Sequence, residues 1–125
     1  MSNSFPSAAK VVVIGGGVAG CSVAYHLAKF GWKDTILLER DQLTSGTTWH
    51  AAGLIGQLGS SATITKFRKY SLDLYKKLEK ETELSTGLKQ NGAITVATTS
   101  DRLEELKRQA TTAQLFDVEA NMLNP

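Results

Sequence analysis

The chain has 125 residues, 42% hydrophobic and 21% charged, a balance typical of one globular, water-soluble domain. Its formal net charge of +2 is too small to indicate binding to nucleic acid or to an acidic membrane surface. No apolar run approaches the roughly 20 residues that a membrane-spanning helix needs, and the single cysteine excludes an internal disulfide.

The first nine residues, MSNSFPSAA, have no arginine and no apolar core. They resemble neither a secretory signal nor a mitochondrial transit segment. We therefore expect residues 1–9 to form a disordered lead-in and residues 10–125 to belong to one domain. The absence of a visible transit peptide favours a cytoplasmic location, with the mitochondrial matrix expected if the source is eukaryotic.

Residues 10–40 predict a phosphate-binding unit of strand, glycine turn, helix and strand. Lys10–Ile14 is a β-branched run typical of a buried parallel strand, and Gly15–Gly20 follows it with the pattern G-x-G-x-x-G. A helix is predicted to about Phe30, and a second strand over Thr35–Leu38. The motif alone is weak evidence, but this complete context predicts the βαβ start of a Rossmann-like α/β fold.

Each of the three glycines that the motif specifies has its own predicted role. Gly15 allows a tight turn, Gly17 lets the backbone approach a pyrophosphate, and Gly20 lets the helix lie close to the sheet. The first helical turn offers free N–H groups and a positive dipole end to a diphosphate. Glu39, nineteen residues after Gly20, is placed to bind ribose hydroxyls and disfavours the 2′-phosphate of NADP. A glycine-rich turn in an unrelated α/β protein is the alternative.

Two residues of the predicted helix carry reactive side chains. Cys21 is interpreted as a small packing residue, with a reactive thiol at a helix amino terminus as the alternative. His26 has no partner at ligand spacing, so we interpret it as a surface or half-buried histidine, and the sequence predicts no metal site.

Residues 46–56, GTTWHAAGLIG, form an uncharged segment that is a poor surface loop and a poor regular helix. The hydroxyls and N–H groups of Thr47 and Thr48 suit phosphate or ribityl oxygens, while Trp49 and His50 supply ring area. This composition indicates backbone packed against a flat ligand. A glycine-bearing loop that only packs on the sheet fits the composition equally well.

Three further elements are predicted in the second half of the chain. Residues 62–84 read as an amphipathic helix with a solvated charged face, with docking to a partner as a minor alternative. A strand is predicted over residues 92–98, and a last helix opens at Asp101 with capping-box-like spacing to Glu104. The predicted apolar face of the long helix comprises Ile64, Phe67, Ser71, Leu74 and Leu78.

A doubly wound dinucleotide-binding sheet contains two βαβαβ halves. Only one βαβ unit and one later strand are predicted here. We therefore expect the chain to be a truncated, amino-terminal piece of a larger protein.

Three segments, VVVIGGGVAGCSVAYHL, LLER and GTTWHAAGLIG, resemble the amino terminus of the dimethylglycine dehydrogenase and sarcosine dehydrogenase family. This family belongs to the FAD-dependent amine oxidoreductases related to D-amino-acid oxidase. The later segment GAITVATTSDRLEELKR is similar in character, so the resemblance spans about residues 10–123. The glycine motif is shared by many FAD and NAD proteins, whereas T-W-H-A-A-G is far more specific. The resemblance implies the amino-terminal part of an FAD-binding domain.

The resemblance also implies roles for single residues. Val18 and Ala19 match the diphosphate turn, Glu39 and Arg40 match the pair around the adenosine ribose, and residues 46–54 match the loop around the diphosphate, ribityl chain and isoalloxazine edge. His50 matches the histidine joined covalently to the flavin 8α-methyl carbon, with an ordinary packed histidine as the alternative. The expected cofactor-binding residues are Gly15, Gly17, Val18, Ala19, Gly20, Glu39, Arg40, Gly46, Thr47, Thr48, Trp49, His50, Ala51, Ala52, Gly53 and Leu54.

In this family FAD accepts a hydride equivalent from the N-methyl carbon of an amino acid, which implies an oxidoreductase with a small amine substrate. The family also implies electron-transfer flavoprotein and tetrahydrofolate as partners, through regions beyond Pro125. The 125-residue chain alone is expected to bind FAD weakly and to be inactive. One alternative is a non-catalytic regulatory protein resembling the regulatory subunit of pyruvate dehydrogenase phosphatase. Another is an NAD-binding module, against which the 46–56 loop argues.

Overall fold

A computed structural model describes residues 6–123, and the chain divides into two compact units, residues 1–54 and 55–125. Part of the predicted lead-in, residues 1–5, lies outside the described residues. The first unit contains strand β1 (Val11–Ile14), helix α1 (Val18–Lys29), strand β2 (Thr35–Leu38) and a single 3₁₀ turn (Thr47–His50). The second unit contains helices α2 (Ala62–Thr82) and α3 (Ser100–Gln114).

The first unit is a βαβ arrangement. Strands β1 and β2 pair in parallel, with Val11 opposite Thr35 and Ile14 opposite Leu38. Helix α1 connects the two strands and packs on both, as a parallel pair requires a crossover. The predicted α/β fold and both strand positions are confirmed.

Helix α1 ends one residue before the predicted boundary, with Phe30 as its C-cap. Gly31 follows with φ of +85°, a left-handed conformation that glycine adopts without strain. The N–H groups of Gly31 and Trp32 donate to the carbonyls of Ala28 and Leu27, both at 3.0 Å, and so satisfy the last turn. The predicted helix breaker is confirmed.

Burial of β1 differs from the prediction of a fully buried strand. Val13 is 9% exposed, whereas Ile14 is 85% exposed and Val12 is also exposed. Successive side chains of a strand point to opposite faces of the sheet. The sheet is therefore covered near Val13 and open to solvent on its other face.

Helix α2 begins where Ser61 Oγ accepts a 3.3 Å hydrogen bond from the Ile64 N–H. The helix ends at Thr82, two residues before the predicted boundary, and Glu83 then adopts a left-handed conformation with φ of 57°. The predicted apolar face is wrong at its amino-terminal end, because Ile64 and Phe67 are exposed, at 40% and 67%. Ser71, Leu74 and Leu78 of that face are half-buried, and the buried residues of the helix are Thr65 and Leu72.

The turn before α2 explains the burial of Thr65. Gly59 N–H donates to Thr65 Oγ1 at 3.0 Å, and the same hydroxyl donates to Ser61 O at 2.9 Å. The preceding segment therefore folds over Thr65 and leaves the Phe67 side of the helix open.

Helix α3 begins earlier than predicted. Thr99 is its N-cap, with extended backbone angles, and Thr99 Oγ1 accepts from the Arg102 N–H at 3.2 Å. The predicted start of this helix at Asp101 is therefore wrong, because the helix begins at Ser100. At the other end, Lys69 Nζ of α2 donates to the carbonyls of Phe116 and Asp117, which follow α3.

The strand predicted over residues 92–98 is wrong. This segment forms no strand in the structure, and Ile94 and Val96 are exposed. The preference of alternating β-branched residues for strands reflects packing against neighbouring strands, and these residues have no strand partner. Among residues 6–123, no helix is both long enough and apolar enough to cross a lipid bilayer.

Candidate cofactor site at the glycine turn

The turn between β1 and α1 is formed by glycines with different geometric constraints. Gly15 has φ of +100°, which a residue with a side chain rarely adopts. Its N–H donates to Leu38 O at 2.8 Å and so joins the turn to the end of β2. This conformation agrees with the tight turn expected of Gly15.

The last glycine of the motif lies where α1 approaches the sheet. A Cβ at Gly20 would collide with the carbonyl of Gly15 and would lie 3.4 Å from Val13 Cγ1. Backbone is less free to move than the end of a side chain, so alanine at this position would force a backbone shift. The close helix–sheet approach predicted for Gly20 is therefore present.

Gly16, in the middle of the turn, has a structural role that the sequence reasoning missed. Its N–H donates to Glu39 Oε2 at 2.7 Å, and its carbonyl accepts from Thr44 N at 2.9 Å and from Cys21 Sγ at 3.3 Å. A Cβ at Gly16 would lie 2.5 Å from Leu43 Cδ2. Gly16 is buried and surrounded by protein groups. The available signal was a fourth glycine, at a position where the motif allows any residue.

The positions of Cys21 and His26 in α1 agree with the sequence interpretation of a packing cysteine and a half-buried histidine. Cys21 is half-buried and is held against the turn by its contact with Gly16. His26 is also half-buried, with Nδ1 2.7 Å from Ser22 O and its ring edge-on to Tyr25 at 5.1 Å between centroids.

The carboxylate of Glu39 is fixed in orientation at the end of β2. Oε1 accepts from the N–H groups of Arg40 at 2.7 Å and Asp41 at 3.1 Å, while Oε2 accepts from Gly16. These hydrogen bonds lower the pKa of Glu39 below its ordinary value of 4.5, with the Gly16 N–H as the largest cause. Glu39 is therefore ionised at neutral pH, and a carboxylate has about four acceptor positions, so it retains capacity for a ligand hydroxyl.

The amino terminus of α1 has no cap of its own, because its N-cap residue is Gly17. The N–H of Val18 instead donates to Thr48 Oγ1 at 2.9 Å. Within residues 6–123, the N–H groups of Ala19 and Gly20 have no protein acceptor. The first N–H groups of a helix lack intrahelical partners and lie at the positive end of its dipole. This terminus is thus suited to an anion.

The segment after β2 forms the 3₁₀ turn Thr47–His50. The turn is closed by Trp49 N donating to Gly46 O at 3.2 Å and by Ala51 N donating to Thr48 O at 3.2 Å. His50 Nδ1 lies 3.1 Å from Gly46 O. A carbonyl oxygen only accepts, so Nδ1 is the donor in this contact, and in the neutral imidazole the lone pair then lies on Nε2.

The structure brings some of the expected site residues together and leaves others apart. Direct contacts join the glycine turn to Glu39 and Thr48. Trp49 is 77% exposed, and Arg40, His50 and residues 51–54 are also exposed. Among the described residues, residues 49–54 form no hydrogen bond with the glycine turn. The glycine turn, Glu39 and Thr48 therefore form a cluster, whereas Arg40 and the residues expected at the flavin ring lie open to solvent.

The comparison with known families identifies the family of the chain. Residues 10–125 match the family described as FAD dependent oxidoreductase. The chain belongs to this family. The FAD-dependent oxidoreductase resemblance predicted from the sequence is confirmed.

Three curated relatives are similar over nearly the whole chain. Mitochondrial sarcosine dehydrogenase of Homo sapiens is 46% identical over 125 residues, covering 99% of this chain and 14% of that protein. Mitochondrial dimethylglycine dehydrogenase of Rattus norvegicus is 44% identical over 117 residues, covering 94% of this chain and 14% of that protein. The mitochondrial pyruvate dehydrogenase phosphatase regulatory subunit of Mus musculus is 40% identical over 124 residues, covering 99% of this chain and 14% of that protein. The chain thus spans about one seventh of the length of these relatives.

The geometry of the glycine turn fits the adenosine diphosphate half of FAD. The turn offers two N–H groups without protein acceptors next to a helix dipole, and the absence of a side chain at Gly17 leaves the backbone accessible. The ionised Glu39 lies at the adjacent strand end, where a ribose would meet it.

Proposed function

We propose that this chain supplies the amino-terminal part of the FAD-binding domain of an oxidoreductase that acts on N-methyl amino acids of the sarcosine or dimethylglycine type. The observation that carries the proposal is the Glu39 carboxylate beside the open amino terminus of α1. A hydrogen bond from the Gly16 N–H lowers the pKa of this carboxylate and so keeps it ionised. The family match and the two dehydrogenase relatives support the same reaction class.

The adenosine half of the cofactor is assigned to the glycine turn. In this proposal Glu39 accepts hydrogen bonds from the ribose hydroxyls, with Arg40 beside it, and the N–H groups of Ala19 and Gly20 donate to the diphosphate. A 2′-phosphate would place a second negative charge against Glu39. The site therefore favours FAD over NADP.

The flavin half is assigned to residues 46–54, with His50 as the covalent tether. In the neutral imidazole the Nδ1 contact with Gly46 O places the lone pair on Nε2, and an unprotonated ring nitrogen is the nucleophilic one. His50 is exposed, so Nε2 is accessible to the 8α-methyl carbon of a flavin ring. When bound, FAD would accept the hydride equivalent taken from the substrate, while the chain orients it and holds it in place.

The partners of the complete protein follow from the family resemblance. They are a small amine substrate, an electron-transfer flavoprotein as electron acceptor and tetrahydrofolate as acceptor of the one-carbon unit. The relatives are mitochondrial by name, which supports the mitochondrial matrix as the location if the source is eukaryotic. None of the described residues is assigned to these partners.

A second candidate is a non-catalytic regulatory flavoprotein. It is favoured by the 40% identity to the pyruvate dehydrogenase phosphatase regulatory subunit, which covers 99% of this chain. The two candidates share the FAD site and differ in whether an amine reduces the flavin.

Anaerobic titration of the complete protein separates these candidates. The purified protein is mixed with sarcosine or with dimethylglycine, and the yellow absorbance of oxidised flavin is followed. We expect one of the two amines to bleach it. A yellow protein that neither amine bleaches would favour the regulatory candidate, and a colourless protein that takes up no added FAD would contradict both.

A further inference from the structure

The amino terminus of α1 depends on a side chain from a distant part of the sequence. Its N-cap, Gly17, offers no side-chain acceptor, and Thr48 Oγ1 accepts from the Val18 N–H at 2.9 Å across 30 residues of sequence. Thr48 thus does for this helix what a local serine or threonine cap normally does.

The same residue belongs to the turn that carries Trp49 and His50. Thr48 O accepts from Ala51 N at 3.2 Å, which closes the 3₁₀ turn. Thr48 is half-buried, whereas the other residues of the 46–54 loop are exposed. Among the described residues, its hydroxyl makes the only hydrogen bond between the 46–54 loop and the glycine turn.

We propose that Thr48 is a positioning residue that fixes the flavin-binding loop on the glycine turn, and this inference rests on the FAD site proposed above. The Thr48–Val18 hydrogen bond sets where the 3₁₀ turn starts, and therefore where Trp49 and His50 stand relative to a diphosphate at α1. Two heavy atoms on Cβ restrict χ1 of threonine, which holds the hydroxyl in this direction.

The two neighbouring threonines are not equivalent in this role. Thr47 is exposed, and its side chain forms no hydrogen bond among residues 6–123. The geometry also accounts for the lack of a side chain at Gly17, because a Cβ there would lie 3.1 Å from Thr48 Oγ1 and would press on the hydroxyl.

The test compares Thr48→Val and Thr48→Ser in the complete protein, each titrated with FAD and with ADP. Valine keeps the shape and removes the hydroxyl, so we expect FAD affinity to fall about five- to tenfold, the value of one lost hydrogen bond. ADP affinity should fall less than about twofold, because ADP lacks the part of the cofactor that the loop holds. Serine keeps the hydroxyl and should restore FAD affinity to within about twofold of wild type.

A matched control removes a threonine hydroxyl elsewhere. Thr111 Oγ1 donates to Lys107 O at 3.1 Å on an exposed face of α3, and Thr111→Val should leave both affinities unchanged.

Three outcomes would overturn the inference: an unchanged FAD affinity in Thr48→Val, an equal loss of FAD and ADP, or a serine variant that binds as poorly as valine. If circular dichroism shows that Thr48→Val does not fold, the FAD affinity of Thr48→Ser is the deciding measurement. A wild-type protein that binds neither FAD nor ADP would instead contradict the proposed function, and the inference with it.

Discussion

The Gly16 N–H donates a 2.7 Å hydrogen bond to Glu39 Oε2 and thereby joins the glycine turn to the end of the second strand. The bond fixes the acid that the sequence assigns to the ribose. It also removes one N–H of the turn from the set available to a phosphate. The turn and the acid therefore form one preassembled structural unit.

Replacing the acid should weaken nucleotide binding. Glu39→Gln removes the negative charge and places an NH₂ group where one backbone donor now binds, so we expect FAD affinity to fall about tenfold or more. Equilibrium titration of the complete protein measures this. Glu104→Gln is the matched control, because among residues 6–123 Glu104 pairs only with Lys107, on the exposed side of α3. Equal affinities for the wild type and Glu39→Gln would contradict the assignment.

The same hydrogen bonds predict a pH dependence of stability. The folded-state pKa of Glu39 is lowered from 4.5 by the Gly16, Asp41 and Arg40 N–H groups. A lowered folded-state pKa stabilises the fold above pH 4.5 and loses that contribution as pH falls through the lowered value. Urea midpoints measured from pH 6 downwards should therefore fall more steeply in wild type than in Glu39→Gln. Parallel curves would contradict this prediction.

Glu105 provides an internal reference for that experiment. Hydrogen bonds from Arg108 and Gln109 lower its pKa to about 2. Its contribution to stability should therefore be complete above about pH 4.5 and be lost progressively as the pH falls from there to about 2. Glu105→Gln should therefore lower the urea midpoint at neutral pH and flatten its pH dependence between about pH 4.5 and 2.

The contact between α1 and the sheet predicts a stability defect. Gly20→Ala places a Cβ against the Gly15 carbonyl, and the backbone must shift to relieve it, at a cost of about 1–3 kcal/mol in the free energy of unfolding. Gly56→Ala is the control, since a Cβ there meets no atom within 4 Å. Chemical denaturation measures both, and an unchanged midpoint in Gly20→Ala would contradict the predicted collision.

The close approach of Leu43 to the buried Gly16 predicts that a substitution of Leu43 partly restores the stability lost by a substitution of Gly16. Gly16→Ala brings a Cβ within 2.5 Å of Leu43 Cδ2, and the side-chain end can give way, so a loss of about 1 kcal/mol is expected. Leu43→Ala removes the obstructing atom. The double variant should recover part of the loss in a double-mutant cycle, and strictly additive effects would show that Leu43 is not the obstacle.

The proposed tether predicts a difference that is visible in acid. His50→Ala should leave a protein that still takes up FAD, but whose flavin passes into the supernatant when the protein is precipitated with acid. The wild type should retain colour in the pellet. A wild-type pellet without colour would contradict the covalent assignment while leaving the FAD site intact.

The βαβ unit could be predicted because its signals are local. The β-branched run before Gly15, the glycine spacing and the acid at Glu39 lie within 30 residues and each restricts the backbone directly. The strand predicted over residues 92–98 failed for the opposite reason. A strand requires a partner, and the alternation of Ile94 and Val96 does not identify one.

The internal contacts of the candidate site and the covered face of α2 could not be predicted from the sequence. Periodicity placed Phe67 on the buried face of α2, yet the turn over Thr65 decided which face is covered. Similarly, the sequence offered Thr47 and Thr48 as equals. Only the folded chain shows which hydroxyl reaches Val18, because that contact spans 30 residues.

The open side of the small sheet affects how this segment is handled in the laboratory. Ile14 presents an aliphatic side chain to the solvent, next to an exposed Val12, and such surfaces associate with one another in concentrated samples. Ligand titrations on the isolated segment should therefore be repeated at several dilutions, so that self-association is not mistaken for a change in affinity.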